Sequence, residues 1–356
     1  MKNSGIGGQA VIEGVMMKNG NQYAVSVRKP NHNIEVTKGK QESITSRYKI
    51  AAVPVIRGAV KFAETLIMGM RTLNASVVEE EPEKPGGQNE KKENILMGII
   101  TIVAVILAVG IFVVAPFLIS ESLRRTIRLA PVRGLLEGVI RVALFILYVK
   151  LISLMEDIKR VFMYHGAEHK AINCVENGLE LTVGNVKKQN LVHRRCGTSF
   201  MLFVMLISIL FFMFIVIGNI WLRMLLRILL IPVIAGLSYE FIRFAGSHDG
   251  KVIRMISKPG LWLQSLTTAE PTEDMIEVAI ASVEAVFDWR AFIADFKEEE
   301  NIVMSDTTLA AAKEKESEGE IQDAEVISLD TSDEEEDEIL NALDRYFIAP
   351  GKEEKS

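Results

Sequence analysis

The sequence predicts an α-helical polytopic membrane protein of about four transmembrane helices, with a small N-terminal β-rich cytosolic unit and a disordered acidic C-terminal tail. Three observations carry this. Residues 95–120 run for 26 positions without a charged side chain, more than the roughly 20 residues that cross a hydrocarbon core. Asn19-Gly20 separates two apolar-rich runs, a strong hairpin signal. The charge is also divided: residues 301–356 hold 17 Asp/Glu and 5 Lys/Arg, a balance of −12, and residues 1–300 balance at +6. The net charge of −6 and the 49% hydrophobic content of the 356 residues therefore average unlike parts, and the long uncharged run speaks against a wholly soluble chain.

Residues 1–78 form the N-terminal unit. Apolar-rich runs at 10–18 and 22–28, then 34–37, predict strands, and Gly5, Gly7 and Gly8 precede the first of them. These glycines follow no strand and open no helix, so a dinucleotide fingerprint fails its context and turn or close-packing glycine is the better reading. Glu13 stands in an otherwise apolar strand and either approaches the chemistry described below or faces solvent. After Pro54, Val60, Phe62, Ala63, Leu66, Ile67 and Met70 share one face of a helix that ends near Leu73. No signal peptide is expected, since the polar, glycine-rich start lacks an apolar core.

Residues 79–94 (EEEPEKPGGQNEKKEN) read as a flexible linker. Residues 95–250 then hold four predicted spans, at 95–119, 135–155, 200–217 and 221–244. The first and third are uncharged; the second carries Glu137, Arg141 and Lys150, and the fourth Arg223, Arg227, Glu240 and Arg243. Glu137 and Arg141, at i and i+4, can neutralise each other. Arg223, Arg227 and Arg243 are expected to snorkel from helix ends. Lys159, Arg160, Lys187 and Lys188 lie in the loop 156–199, which places that loop, and with it both termini, on the cytoplasmic side of the cell membrane. Residues 251–300 are expected to be a cytosolic helical segment, amphipathic from Glu270 to about Phe287. Residues 301–356, with DEEEDE at 333–338, read as disordered. A short apolar patch at 339–347 could dock on a protein partner as one helix. Membrane lipid is the expected surrounding, and basic residues without interleaved aromatics argue against nucleic acid.

The chemistry concentrates in the loop. Three of five histidines and both cysteines fall between His165 and Cys196. His165 and His169, four apart, project from one helix face, and His165-Gly-Ala-Glu168-His169 fits the H-x-x-E-H pattern in which two histidines hold zinc and the glutamate acts as base. His193 and Cys196 supply two further donors, and Cys174 is a spare. Four donors suit a closed structural site; three leave room for catalysis. A thiolate in the set favours zinc over harder ions, with other divalent metals open. A third ligand of the peptidase kind could come from Glu240. Two cysteines near histidines read as reduced thiols or ligands rather than a bridge.

Several strings resemble one family: residues 7–17 (GGQAVIEGVMM), 54–58 (PVIRG), 164–170 (YHGAEHK) and 195–200 (RCGTSF), with Ser238-Tyr239-Glu240 and Gln264 to Pro271 further on. They look like the signatures of the domain of unknown function 1385, the YqhQ-like membrane proteins of bacteria, over about residues 5 to 290. The resemblance implies a metal-dependent membrane enzyme and names no substrate. Arg194 stands where that family tends to have proline, and the tail lies outside the likeness. The residues then support a metal-dependent hydrolase with Glu168 as base. Two alternatives remain: a scaffold with a structural metal and a partner-binding tail, and a small-solute transporter built on Glu137, Arg141 and Lys150.

Overall fold

The computed structural model describes residues 2–76, 88–193, 195–247 and 251–297. Most of the linker, Arg194, and the tail with its 339–347 patch lie outside the described residues. Four strands, β1 (Ile6–Val11), β2 (Gly14–Asn19), β3 (Gln22–Arg28) and β4 (Ile34–Lys40), form an antiparallel meander in chain order. Asn19 pairs with Gln22, leaving a two-residue turn in which Gly20 takes φ +57°, as a hairpin of this length requires. The run 10–18, read as one strand, is two. Val11 pairs with Gly14, and Glu13 turns the chain with φ 50°. That conformation is uncommon for a residue with a Cβ; here the Arg28 amide donates to the Glu13 carbonyl at 2.9 Å.

Twelve α-helices with defined bounds follow in the described residues, and 289–297 is helical as well. A single turn, α1 (Ile44–Arg47), leads to α2 (Ile56–Ser76). Then α3 (Gln88–Val109) passes through a π-turn at Gly110–Val114 into α4 (Ala115–Ser122). Where the sequence suggests linker through Asn94, α3 begins at Gln88, because Gln, Glu and Lys after the Gly-Gly are good helix formers. Next come α5 (Ala130–Ile152) and α6 (Glu156–Glu176), bent by 102° against each other, and the short α7 (Val183–Lys187). The set closes with α8 (Gly197–Phe214), α9 (Ile220–Leu229), α10 (Ile231–Ser247), α11 (Lys251–Gln264) and α12 (Glu273–Val286). The inter-span segment 156–199, where the spacing predicts a helix through His165 and His169, is largely helical.

Alternation along the strands sends side chains to both faces of the sheet. Val15 and Met17 join Tyr164 and Ile172 of α6 and Ile276 and Val283 of α12 in the main core. Met16, Val25 and Val27 meet Met68 of α2 on the other face. The N-terminal strands, α6 and α12, far apart in sequence, share one core. Burial of such a core, at about 25 cal/mol per Å² of apolar surface, is what binds these segments together.

Two helical stretches, Gly98–Arg125 and Gly197–Phe214, are long and apolar enough to cross a membrane, and four are if each bent pair counts as one span. Along the first, Ile102, Ile106 and Leu107 leave more than half their surface uncovered. A row of bare isoleucines and leucines that long is costly in water and suits lipid, consistent with a membrane protein.

Two of the three arginines expected to snorkel are buried instead, and Arg243 is exposed. Arg223 and Arg227 are 6% and 4% exposed, which corrects the expectation that they reach the interface. Arg227 pairs with Glu137, which also accepts from Arg141 at 2.9 Å, and Arg223 meets Glu121 at 2.6 Å. Arg141 Nε donates to the Phe112 carbonyl at 2.7 Å, inside the π-turn, where an altered ladder leaves backbone acceptors available.

Candidate functional site

Helix α6 presents His165, Glu168 and His169 together because three- and four-residue spacings share a helix face. Gly166, a weak helix former in the sequence, is needed here for contact: a Cβ would collide with the Ala269 carbonyl and lie 2.8 Å from Leu191 Cδ2. The chain segments that close over this face also set the two rings. His165 Nδ1 lies 2.9 Å from the Thr267 carbonyl and His169 Nδ1 2.5 Å from the Leu191 carbonyl. A carbonyl only accepts, so each Nδ1 carries a proton, and in the neutral tautomer this selects, Nε2 is the acceptor. This is the arrangement by which backbone carbonyls orient metal-binding histidines.

The free nitrogens converge on Cys196, the N-cap of α8, whose sulfur takes a hydrogen bond from the Thr198 amide at 3.4 Å. His165 Nε2 is 3.2 Å from Cys196 Sγ. The donor atoms of His165, His169 and Cys196 all lie within 4.8 Å of one another. Donors around a tetrahedral zinc stand about 3.3–3.7 Å apart, from bond lengths near 2.0–2.3 Å, so small ring and thiol adjustments suffice. His169 Nε2 is buried and has no hydrogen-bond partner among the described residues. An unpaired buried acceptor is costly, and its lone pair faces the group. Glu168 Oε2 stands 3.8 Å from His165 Nε2 and 3.6 Å from His169 Nε2. These three donors could hold a metal ion.

Residues 53–289 match the family described as "Protein of unknown function (DUF1385)". The chain is also 33% identical over 286 residues to "Uncharacterized protein YqhQ" of Bacillus subtilis (strain 168), covering 78% of this chain and 90% of that relative. The chain belongs to the DUF1385 family. No solved structure matches it.

In this DUF1385 chain the other sequence candidates have different surroundings. The His193 ring lies 5.7 Å from that of His169, but its Nε2 is 3.5 Å from Glu176 Oε2, and His193 is not one of the three converging donors. Glu176 also accepts from Ser4 and Arg195. Burial alone would raise its pKa, yet the bonds from His193 and Ser4 and the nearby Arg195 charge outweigh that and hold it down at about 2. Cys174 points toward the Glu180 carbonyl at 3.4 Å, and burial pushes its thiol up to about 11, the signature of an inert buried cysteine. Glu13 faces Arg160 at 2.5 Å and the Tyr164 hydroxyl at 3.3 Å. Glu240 is held by Arg57 through two bonds, one of them 3.0 Å. Neither is among the three converging donors.

Four supporting residues stand outside the predicted ligands and base, and of these only Gly8 has a sequence reading, as a turn or close-packing glycine. Gln264 clamps the approach to Cys196, accepting from the His193 amide at 3.0 Å and donating to the His193 carbonyl and Ser199 Oγ at 2.8 Å. Asn173 donates to the Asn190 and Val192 carbonyls, fixing the strand of chain that carries Leu191. Thr267 orients His165, and Gly8 lets Glu168 lie against β1. Gly8, Gln264 and Thr267 fall inside the strings that carry the family resemblance, and that was the signal available.

Proposed function

We propose that this DUF1385 chain is a multi-pass protein of the cell membrane with cytoplasmic termini and a zinc centre at its cytosolic face, acting as a metal-dependent hydrolase. The observation that carries the reading is the buried, partnerless Nε2 of His169, aimed at His165 Nε2 and the Cys196 thiol. Two imidazoles and one thiolate are a donor set suited to zinc, and three protein ligands leave a position for reaction. Zinc at such a site supplies Lewis acidity. Glu168, its carboxylate beside both ligand nitrogens, is placed to take a proton from an attacking water and pass it to the leaving group. Thr267 and Leu191 hold the imidazoles, and Gly8 makes room for the carboxylate. The shared core of the N-terminal strands, α6 and α12, together with lysines and arginines such as Lys159 and Arg160, supports placing these parts on the cytoplasmic side.

A second reading has its own observation. Glu168 is 4% exposed, and its oxygen is near enough to both imidazoles to complete a closed four-ligand site, which would make the metal structural and the protein a scaffold. Thiol alkylation of the detergent-purified chain tests the centre itself: Cys196 is protected in zinc and reacts after chelation, with Cys174 unreactive throughout. Equal reactivity of Cys196 with and without zinc would remove the metal centre. Glu168→Gln divides the readings. A base is expected to lose function in complementation while zinc still protects Cys196; a fourth ligand loses that protection too.

A further inference from the structure

We infer that the end of the helix bundle remote from the histidines holds a pocket for a phosphate-type oxyanion. Helix α8 begins beside Cys196 and runs 18 residues, about 27 Å at 1.5 Å per residue, before ending at a cavity of about 80 Å³. Such a space holds several waters or one small oxyanion. Its charged lining is Arg124, Arg133, Arg223 and Arg227 with Glu121 and Glu137, an excess of two positive charges.

The pairing leaves that excess uncompensated. Glu121 serves both Arg124, at 3.2 Å, and Arg223, at 2.6 Å. Glu137 serves both Arg227 and Arg141, the latter from behind the cavity wall. Among the described residues, the Arg133 side chain donates to the carbonyls of Ile127 and Arg128, at 2.8 and 2.9 Å. Arg227 Nε is buried and has no hydrogen-bond partner among the described residues. Two carboxylates thus answer five guanidinium groups; Arg124 is exposed and Arg133 half-buried, but Arg141, Arg223 and Arg227 are buried, where an unbalanced charge is expensive. The aromatic faces of Phe117 and Phe212, 4.5 and 5.0 Å from the Arg227 guanidinium, ease its burial without neutralising it. An oxyanion with several acceptor oxygens matches planar guanidinium donors in both charge and geometry. Free phosphate and a phospholipid headgroup share that chemistry. The pocket is independent of the metal centre and stands or falls without it.

The test uses the full chain, delipidated in a maltoside detergent, with inorganic phosphate in one arm and added phosphatidylglycerol in the other. Saturable thermal stabilisation and direct binding are expected in at least one arm. A response to phosphate alone identifies a soluble anion; a response to phosphatidylglycerol alone identifies a headgroup. Arg227→Gln should weaken binding by about tenfold or more, the worth of a charge-assisted bond. Glu121→Gln should strengthen it, because a negative charge leaves the lining and Arg223 is released. Arg128→Gln, in the same connection but not in the lining, should change nothing. Should Arg227→Gln fail to fold, Glu121→Gln decides the matter alone. Absence of binding in both arms, or weaker binding in Glu121→Gln, would overturn the proposal.

Discussion

A Cβ added to Gly8 in β1 would stand 2.6 Å from Cγ of Glu168 and 2.7 Å from its Oε1. The strand backbone and the carboxylate of the H-x-x-E-H string are therefore packed directly on one another, across 160 residues of sequence. A glycine in a strand interior often marks such an approach. Gly8→Ala is expected to displace the carboxylate and to cost about 1–3 kcal/mol, as overpacking does. Gly7→Ala, whose added methyl meets nothing within 4 Å, is the control. Thermal unfolding and complementation compare the two; equal behaviour would mean that Glu168 moves aside without consequence.

Glu137 is the single carboxylate shared by Arg141 and Arg227, and its side chain is 2% exposed. Glu137→Gln leaves two buried guanidinium groups without their counter-charge, which typically costs about 3–5 kcal/mol. Lys150, exposed at the end of α5, should tolerate Lys150→Gln within about 0.5 kcal/mol. Detergent-resolved thermal unfolding reads both. Glu137 and Arg141, two of the three residues behind the transporter reading, are thus ion-paired with each other and with Arg227.

Glu176 predicts the response to acid. Its folded pKa, about 2, lies below the ordinary 4.5, so the unfolded chain binds its proton first as pH falls. The stability it contributes is complete above about pH 4.5 and is lost progressively toward pH 2. Glu176→Gln should flatten the stability profile across that window and lower stability at neutral pH, where Ser4, His193 and Arg195 lose their acceptor. An unchanged acid limb in unfolding titrations would show that this network contributes little.

The legible parts of the fold were those governed by local rules. Asn19-Gly20 announced a hairpin because its turn geometry needs such residues, and the uncharged run from 95 announced a helix suited to a membrane. The break at Glu13 was hidden, since a glutamate at positive φ depends on Arg28 and Arg160, which come from elsewhere in the chain. In the site, His165, Glu168 and His169 were legible by helical spacing. The choice among Cys196, His193 and Cys174 was not, because it turns on long-range contacts: Glu176 faces His193, Glu180 takes the Cys174 thiol, and α8 delivers Cys196 to His165. The place of Gly166 also depends on distant residues. Read locally it weakens a helix; in the fold it admits the Ala269 carbonyl. The paired burial of Arg223 and Arg227 likewise depends on Glu121 and Glu137 from other helices.

The most direct measurement is elemental analysis of the chain purified in detergent without added metal, wild type beside His169→Ala and Cys196→Ser. The account predicts about one zinc per chain in the wild type, the content of a single mononuclear site, and its loss in both variants while each remains folded. A folded wild-type protein that carries no metal and takes up no zinc would contradict it.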